Sequence, residues 1–303
     1  MGEHRMSADL VIVGGGPAGC AAALSAAGVG LRSVLVEREA ALCRKPRGIP
    51  ALNNVLGFRT GPGFADAVAA DLAATGLCEI RTGVGVTALA PAEDAVTVTL
   101  DDGSRVRAPY AVLATGVGPV APADADWIDA PGDLHLTPLW EADPAGAEGR
   151  TWLVVGADRP LGTFLRAHPA LDVRLLVPHP PADAYKTEEI AADPRVTLLP
   201  TPRLTLTGPL TAEPGGLRAD AAFANIGSAP AAPVGAVLGP DGYCPPGLQH
   251  PRVLVAGDLR GARYQRIMTA VGSGTEAALR AYYTTRDVPG AGARPSSDAR
   301  RPT

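Results

Sequence analysis

Gly14, Gly16 and Gly19, with a carboxylate at Glu37, are the residues of this 303-residue chain whose types and spacing point most directly to chemistry. A Gly-x-Gly-x-x-Gly turn can hold a pyrophosphate. The first glycine allows the tight turn, the second lets backbone approach the phosphates, and the third lets a helix pack close to a strand. The helix N-terminus that follows attracts the phosphate charge. Glu37, 18 residues past Gly19, can accept hydrogen bonds from ribose hydroxyls. The chemistry implied is binding of a dinucleotide. The cysteines point elsewhere: Cys20, Cys43, Cys78 and Cys244 form no Cys-x-x-Cys, and no histidine stands beside them at metal-ligand spacing. They read as buried thiols in a reducing compartment, and no metal site is expected.

The elements that must position such a turn can be read around it. "LVIV" at Leu10–Val13 is a strand, the alanine-rich stretch from about Pro17 to Ala27 a helix, and Ser33–Glu37 a second strand. Further on, "DDGSRVRAPYAVLATG" reads as a turn, a strand and the strand Ala111–Ala114, closing at Thr115-Gly116. "PRVLVAGDLRGARYQRIMTAVGSGTEAALRAYY" reads as a buried strand at Val253–Ala256, then Gly257-Asp258, then a long amphipathic helix. The 36 glycines and 30 prolines fall between apolar runs as turn punctuation. Residues 289–303 have almost no apolar side chains and read as a disordered tail.

Composition narrows the class. Hydrophobic residues make up 46% of the chain, enough for two domains with cores. Charged residues are 19% and the net charge is −4, which does not suit a nucleic-acid partner. No apolar run approaches the ~20 residues of a membrane span, and the polar start lacks the apolar core of a signal peptide. The expectation is a soluble, cytoplasmic protein acting on a small molecule, with no nucleic-acid or membrane partner.

On the Gly14 turn, the Ala-Thr-Gly stretch and the Gly-Asp segment, the chain resembles the low-molecular-weight thioredoxin-reductase-like flavoproteins over nearly its whole length. The resemblance implies an α/β fold of two Rossmann-like, three-layer dinucleotide-binding domains. A discontinuous FAD domain would take about 1–118 and 241–288, and an inserted domain about 119–240 would stand in the place of the pyridine-nucleotide domain. "FANIGSAP" resembles the family's exit from that insert. The resemblance also implies a homodimer. It places FAD against Gly14, Gly16, Pro17, Ala18, Gly19, Glu37 and Arg38, and at Ala114, Thr115 and Gly116, where the FAD domain closes. Gly257 and Asp258 fall at the ribityl and phosphate side, and Gln265, Arg266 and Ile267 at the isoalloxazine ring. The family more often has Arg-Gln-Ala where this chain has Gln-Arg-Ile.

Two departures stand out. In the insert, Gly156 keeps its place, but Asp158 stands where the second glycine should be and Leu161 where the third small residue should be. A carboxylate repels a pyrophosphate and a side chain blocks backbone approach. Arg159 and Arg174 do not match the place of a 2′-phosphate site, so NAD(P)H binding in the usual mode is doubtful. The family's redox Cys-x-x-Cys would fall on Leu139-Trp140-Glu141-Ala142, where no cysteine remains. A thiolate relay to the flavin therefore has no nucleophile. The loop "RGIPALNNVLGFRTGPGF" is closer to that of the gliotoxin- and holomycin-type dithiol oxidases, which pass electrons from a small natural product through FAD to dioxygen.

The catalytic candidates follow from those positions. Trp140 could stack on flavin or substrate and Glu141 could accept a proton if buried, or the segment is a surface linker. His135 is the nearest histidine in sequence, a base near neutral pH or a plain structural residue. Arg44, Lys45 and Arg47 either meet the adenosine or pyrophosphate of FAD or form a solvated loop face. Tyr264 either flanks a substrate pocket or packs in the core. Three functions fit: an FAD-dependent oxidase of a small molecule in specialised metabolism; a reductase of the same family fed by a ferredoxin-type carrier or by NAD(P)H; and a redox-silent FAD-binding scaffold.

Overall fold

The computed structural model describes residues 8–286, so the expected tail at 289–303 lies outside the described residues. In chain order the first elements are β1 (Leu10–Val13), α1 (Pro17–Gly28), β2 (Ser33–Glu37), α2 (Arg44–Arg47), α3 (Gly61–Thr75), β3 (Cys78–Thr82), β4 (Val86–Pro91), β5 (Val96–Leu100), β6 (Arg105–Ala108) and β7 (Tyr110–Leu113). Then come β8 (Val117–Pro119), β9 (Ile128–Asp129), β10 (Thr137–Pro138), β11 (Arg150–Val155), α4 (Pro160–Ala167), β12 (Val173–His179), β13 (Val196–Pro200) and β14 (Leu204–Gly208). The last are β15 (Thr211–Glu213), β16 (Leu217–Arg218), β17 (Ala221–Ala224), β18 (Ser228–Pro230), β19 (Val253–Val255) and α5 (Ile267–Thr285).

The chain divides into two compact units: residues up to 42 with 68–116 and 232 onward, and residues 43–67 with 117–231. The first unit is built on a parallel sheet of order β19-β7-β1-β2-β3. Its central strands are buried along their whole length, which is why they read as unbroken apolar runs. Alternation sorts them: Val11, Val13, Val34, Val36, Ala111 and Leu113 meet the antiparallel sheet β4-β5-β6 through Val96, Val98, Leu100 and Val106. Helices α1 and α5 pack on each other, and α5 also packs on β7 and β19. Proline at the first helical position and an alanine-rich body start α1, and the chain leaves it through Gly30 at φ +78°.

The second unit repeats the plan with a parallel sheet of order β10-β17-β11-β12-β13. Along β11 the side chains alternate between two cores. Trp152 and Val154 join Leu161, Phe164 and Leu175; Leu153 and Val155 join Ile128, Leu176, Leu204 and Leu206. Each fully buried side chain of this size contributes about 1.5–3 kcal/mol of burial.

Sequence reading and structure differ at particular places. The strand expected at Ala111–Ala114 runs Tyr110–Leu113, because β1 and β19 both pair with that register. The unit boundaries fall after 116 and 231 where 118 and 240 were expected, and residues 43–67 group with the second unit instead of with the FAD-type domain. The Arg44–Glu141 ion pair at 2.8 Å ties that segment to the rest of the unit, and the Arg47–Asp66 pair at 2.7 Å closes it on itself.

Candidate functional site

The Gly14 turn has the geometry that a dinucleotide site needs. Gly14 sits at φ +103°, and a Cβ there would lie 2.5 Å from the Ala114 carbonyl oxygen, so both backbone angle and space demand glycine. A Cβ on Gly19 would run into the Gly14 carbonyl, so the close crossing of α1 over β1 demands the second. Gly16 is different. It is the N-cap of α1 in an ordinary extended conformation, and nothing lies within 4 Å of where its Cβ would be. Among the described residues nothing packs against that face. It is a cradle open to a group that approaches the backbone, at the positive end of a 12-residue helix.

The Glu37 carboxylate ends β2 beside this turn. Oε2 accepts from the Gly15 N–H at 2.5 Å and Oε1 from the Glu39 N–H at 2.8 Å, so its position is set by the turn itself. Arg38 is exposed. On the other side, Ala114 is buried, its N–H donating to Val13 at 2.8 Å, and Gly116 takes φ +65°. The Thr115 hydroxyl oxygen between them is fully buried with no hydrogen-bond partner in the described residues. An orphaned buried hydroxyl on a residue whose backbone adjoins the Gly14 turn fits a bound polar group.

Pro17 opens α1, and Ala18 is buried by packing: Gly274 of α5 lies against its carbonyl, and a Cβ on Gly257 would meet its methyl at 2.9 Å. Gly257, at φ +71°, donates its N–H to Ser273 Oγ at 2.8 Å. Asp258 lies in the short turn Gly257–Arg260 and is half-buried. The Gln265 amide nitrogen lies 3.2–3.4 Å from Gly261 O, Tyr243 Oη and Asp258 O, so the side chain braces its own loop. Arg266 is the exposed N-cap of α5, its N–H bonded to Thr269 Oγ1 at 3.1 Å and its guanidinium to Gln265 O at 2.7 Å. Ile267 is the first residue of α5.

In the second unit the structure brings Trp140 and Glu141 together with the basic segment. Arg44 pairs with Glu141 at 2.8 Å, and the Lys45 ammonium lies 5.9 Å from the centre of the Trp140 ring while donating to the Val117 carbonyl. Arg44 and Arg47 thus pair with the carboxylates of Glu141 and Asp66 in the second unit. Glu141 is exposed and ion-paired, not buried as a proton acceptor would need. His135 is exposed.

The second glycine turn is filled. Gly156 takes φ +96°, and a Cβ there would strike the Asn225 carbonyl. Buried Asn225 donates its side-chain amide to Gly156 O at 3.2 Å and Asp158 O at 2.8 Å, and its carbonyl accepts from the Asp158 N–H at 3.1 Å. Leu161 is fully buried in the core with Trp152 and Phe164. Glu189 lies against Gly162 and pairs with Arg166. The strand that corresponds to β2 ends in His179, buried, with Nδ1 3.1 Å from Pro180 O. Sequence reasoning missed Asn225, which stood in a stretch read only as a strand exit, where nothing in the spacing reports where a side chain turns; Thr115 was placed at FAD by resemblance, without sign of its orphaned hydroxyl.

The comparisons bear on the fold. Residues 8–123 match the family model of the pyridine nucleotide-disulphide oxidoreductases. Among solved structures, the thioredoxin reductase of Lactococcus lactis in its FR conformation is similar, with TM-score 0.76 and 19% identity over 93% of this chain and 100% of that one. The thioredoxin reductase of T. acidophilum gives 0.72 and 19% over 93% and 100%. The bacillithiol disulfide reductase of Bacillus cereus gives 0.67 and 17% over 91% and 99%. No curated protein sequence matches. The fold is the two-domain, Rossmann-like α/β fold of the thioredoxin reductases. Among the described residues, no helix is long and apolar enough to cross a membrane.

Proposed function

We propose that the chain is an FAD-dependent oxidoreductase that oxidises a small molecule with dioxygen as acceptor, without a redox-active disulfide and without a nicotinamide seated in the second unit. The observation that carries this reading is the contrast between the two turns. The Gly16 cradle is open, whereas in the corresponding turn the Asn225 amide bonds across to the Gly156 and Asp158 carbonyls and a core-buried Leu161 replaces the third small residue. Bound FAD supplies the two-electron redox chemistry. The protein's part is binding and orientation. The α1 N-terminus and Gly16 take the pyrophosphate, Glu37 the ribose hydroxyls, and the Thr115 hydroxyl the orphaned hydrogen bond. Asp258 takes the ribityl side, and the turn at Gln265–Ile267 the ring.

None of the four cysteines, at 20, 43, 78 and 244, falls within the 139–142 segment where the family's dithiol would be. Three of the four are buried; burial raises the Cys244 thiol, the opposite of what a thiolate nucleophile needs. A cytoplasmic homodimer serving a biosynthetic pathway completes the proposal; sedimentation velocity and the identity of neighbouring genes test those parts.

Anaerobic titration of the purified yellow protein, followed at the flavin absorbance bands, tests the reading. Dithionite is expected to bleach it and air to restore it, while equimolar NADPH or NADH leaves it unchanged. Stoichiometric bleaching by NADPH would overturn the reading in favour of a nicotinamide-dependent reductase. A flavin that dithionite alone reduces and air does not reoxidise would favour the scaffold.

A further inference from the structure

Tyr264 combines two features that rarely occur together: it is 81% exposed, and its backbone lies in the left-handed region at φ +64°. A bulky residue in that region is strained, and strain persists only where the surroundings over-determine it. Here they do. Thr269 Oγ1 donates to the Tyr264 carbonyl at 2.5 Å and accepts from the Arg266 N–H at 3.1 Å. The Gln265 amide is turned inward onto Gly261 O and Tyr243 Oη, and the Arg266 guanidinium folds back on Gln265 O at 2.7 Å. The polar side chains of Gln265, Arg266 and Thr269 thus bond within the turn, which holds out the Tyr264 ring beside an exposed Arg263. Met268, 37% exposed, follows in the first turn of α5. Core packing, one of the two sequence readings, does not occur.

A rigid loop holding out an aromatic ring with two rotatable bonds loses little entropy when something stacks on it. We propose that Tyr264 is a specificity-determining residue that stacks on the substrate, and that the substrate is a planar, conjugated small molecule. This rests on the FAD reading, which sets the neighbouring Gln265–Ile267 turn at the flavin. Glycine tolerates the φ of Tyr264, so the position has a stable alternative that the chain does not use.

The test is calorimetric titration of the holoprotein and its Tyr264→Phe, Tyr264→Ala and Tyr264→Gly variants with 2-methyl-1,4-naphthoquinone, and with non-planar 1,4-cyclohexanedione as control. Tyr264→Phe is expected to keep the naphthoquinone affinity. Tyr264→Ala and Tyr264→Gly are expected to weaken it about 10-fold or more, the size of one stacking contact. The diketone should not distinguish the four. Tyr264→Gly should show a Tm equal to or above the parent, because the strain is relieved, so lost affinity cannot be put down to unfolding. Equal naphthoquinone affinity in all four flavin-loaded proteins, no naphthoquinone binding by the parent, or unchanged affinity with loss of an oligomer in Tyr264→Ala would each overturn the inference. A parent protein that retains no flavin would instead overturn the functional reading, and this one with it.

Discussion

The two glycine turns begin alike and end differently. Gly14 and Gly156 both take a positive φ, at +103° and +96°, and both are pressed by a backbone carbonyl, Ala114 in one unit and Asn225 in the other. Two residues later they part. Gly16 faces open space, while Asp158 is bound to Asn225 through its backbone. Five residues on from the first glycine, Gly19 admits the Gly14 carbonyl and Leu161 fills a core. The first glycine is therefore a folding requirement of any strand–turn–helix crossing of this kind. The second meets no packing demand from the described residues, so it is the position at which the proposed cofactor role can be tested apart from folding.

The largest effects should fall on the positions the turns share. Gly14→Ala and Gly156→Ala should each destabilise by about 3 kcal/mol or more, through strained φ and a Cβ inside van der Waals distance of backbone. Chemical denaturation followed by circular dichroism checks this, and a tolerant Gly156 would break the symmetry claimed for the two turns. Asn225→Ala strips two carbonyls of their partner and should cost about 2–3 kcal/mol without lowering flavin content; flavin loss from that variant would show that the second turn serves the cofactor.

The second unit also holds a half-buried ion pair. Arg195 bonds Asp193 at 2.7–2.9 Å and caps the His168 carbonyl at 2.6 Å. The Arg195 guanidinium beside Asp193 holds that carboxyl below the usual aspartate range. Its contribution is therefore complete above about pH 4, the unfolded value, and is lost as pH falls from there through the lowered native value. Arg195→Ala should destabilise by about 2 kcal/mol at pH 7 and by less at pH 3. Denaturation of the parent and variant at the two pH values checks this, and an equal loss at both would remove the charge from the account.

Much of the frame could be read from residues alone, because β1, α1 and β2 carry their reasons locally: apolar runs buried on both faces, a glycine turn and an acid at the strand end. The filled second turn was visible at Asp158 and Leu161 but not the Asn225 side chain that closes it, 69 residues from Gly156. The grouping of 43–67 with the second unit depends on contacts such as Arg44–Glu141, 97 residues apart, which no local pattern encodes. Gln265 and Arg266 were assigned by resemblance, and their inward hydrogen bonds arise from the order Gln-Arg in a turn closed by Thr269.

The smallest expected effect on folding is also the most direct test. Gly16→Ala places a methyl where the protein itself has no atom within 4 Å, on a backbone any residue can adopt. With the cofactor stripped, its Tm should stay within about 2 °C of the parent, yet FAD titrated back should bind at least about 10-fold more weakly, because the methyl stands in the phosphate's path. Flavin affinity equal to the parent's would contradict the account, since the open face at Gly16 would then not be where the cofactor lies.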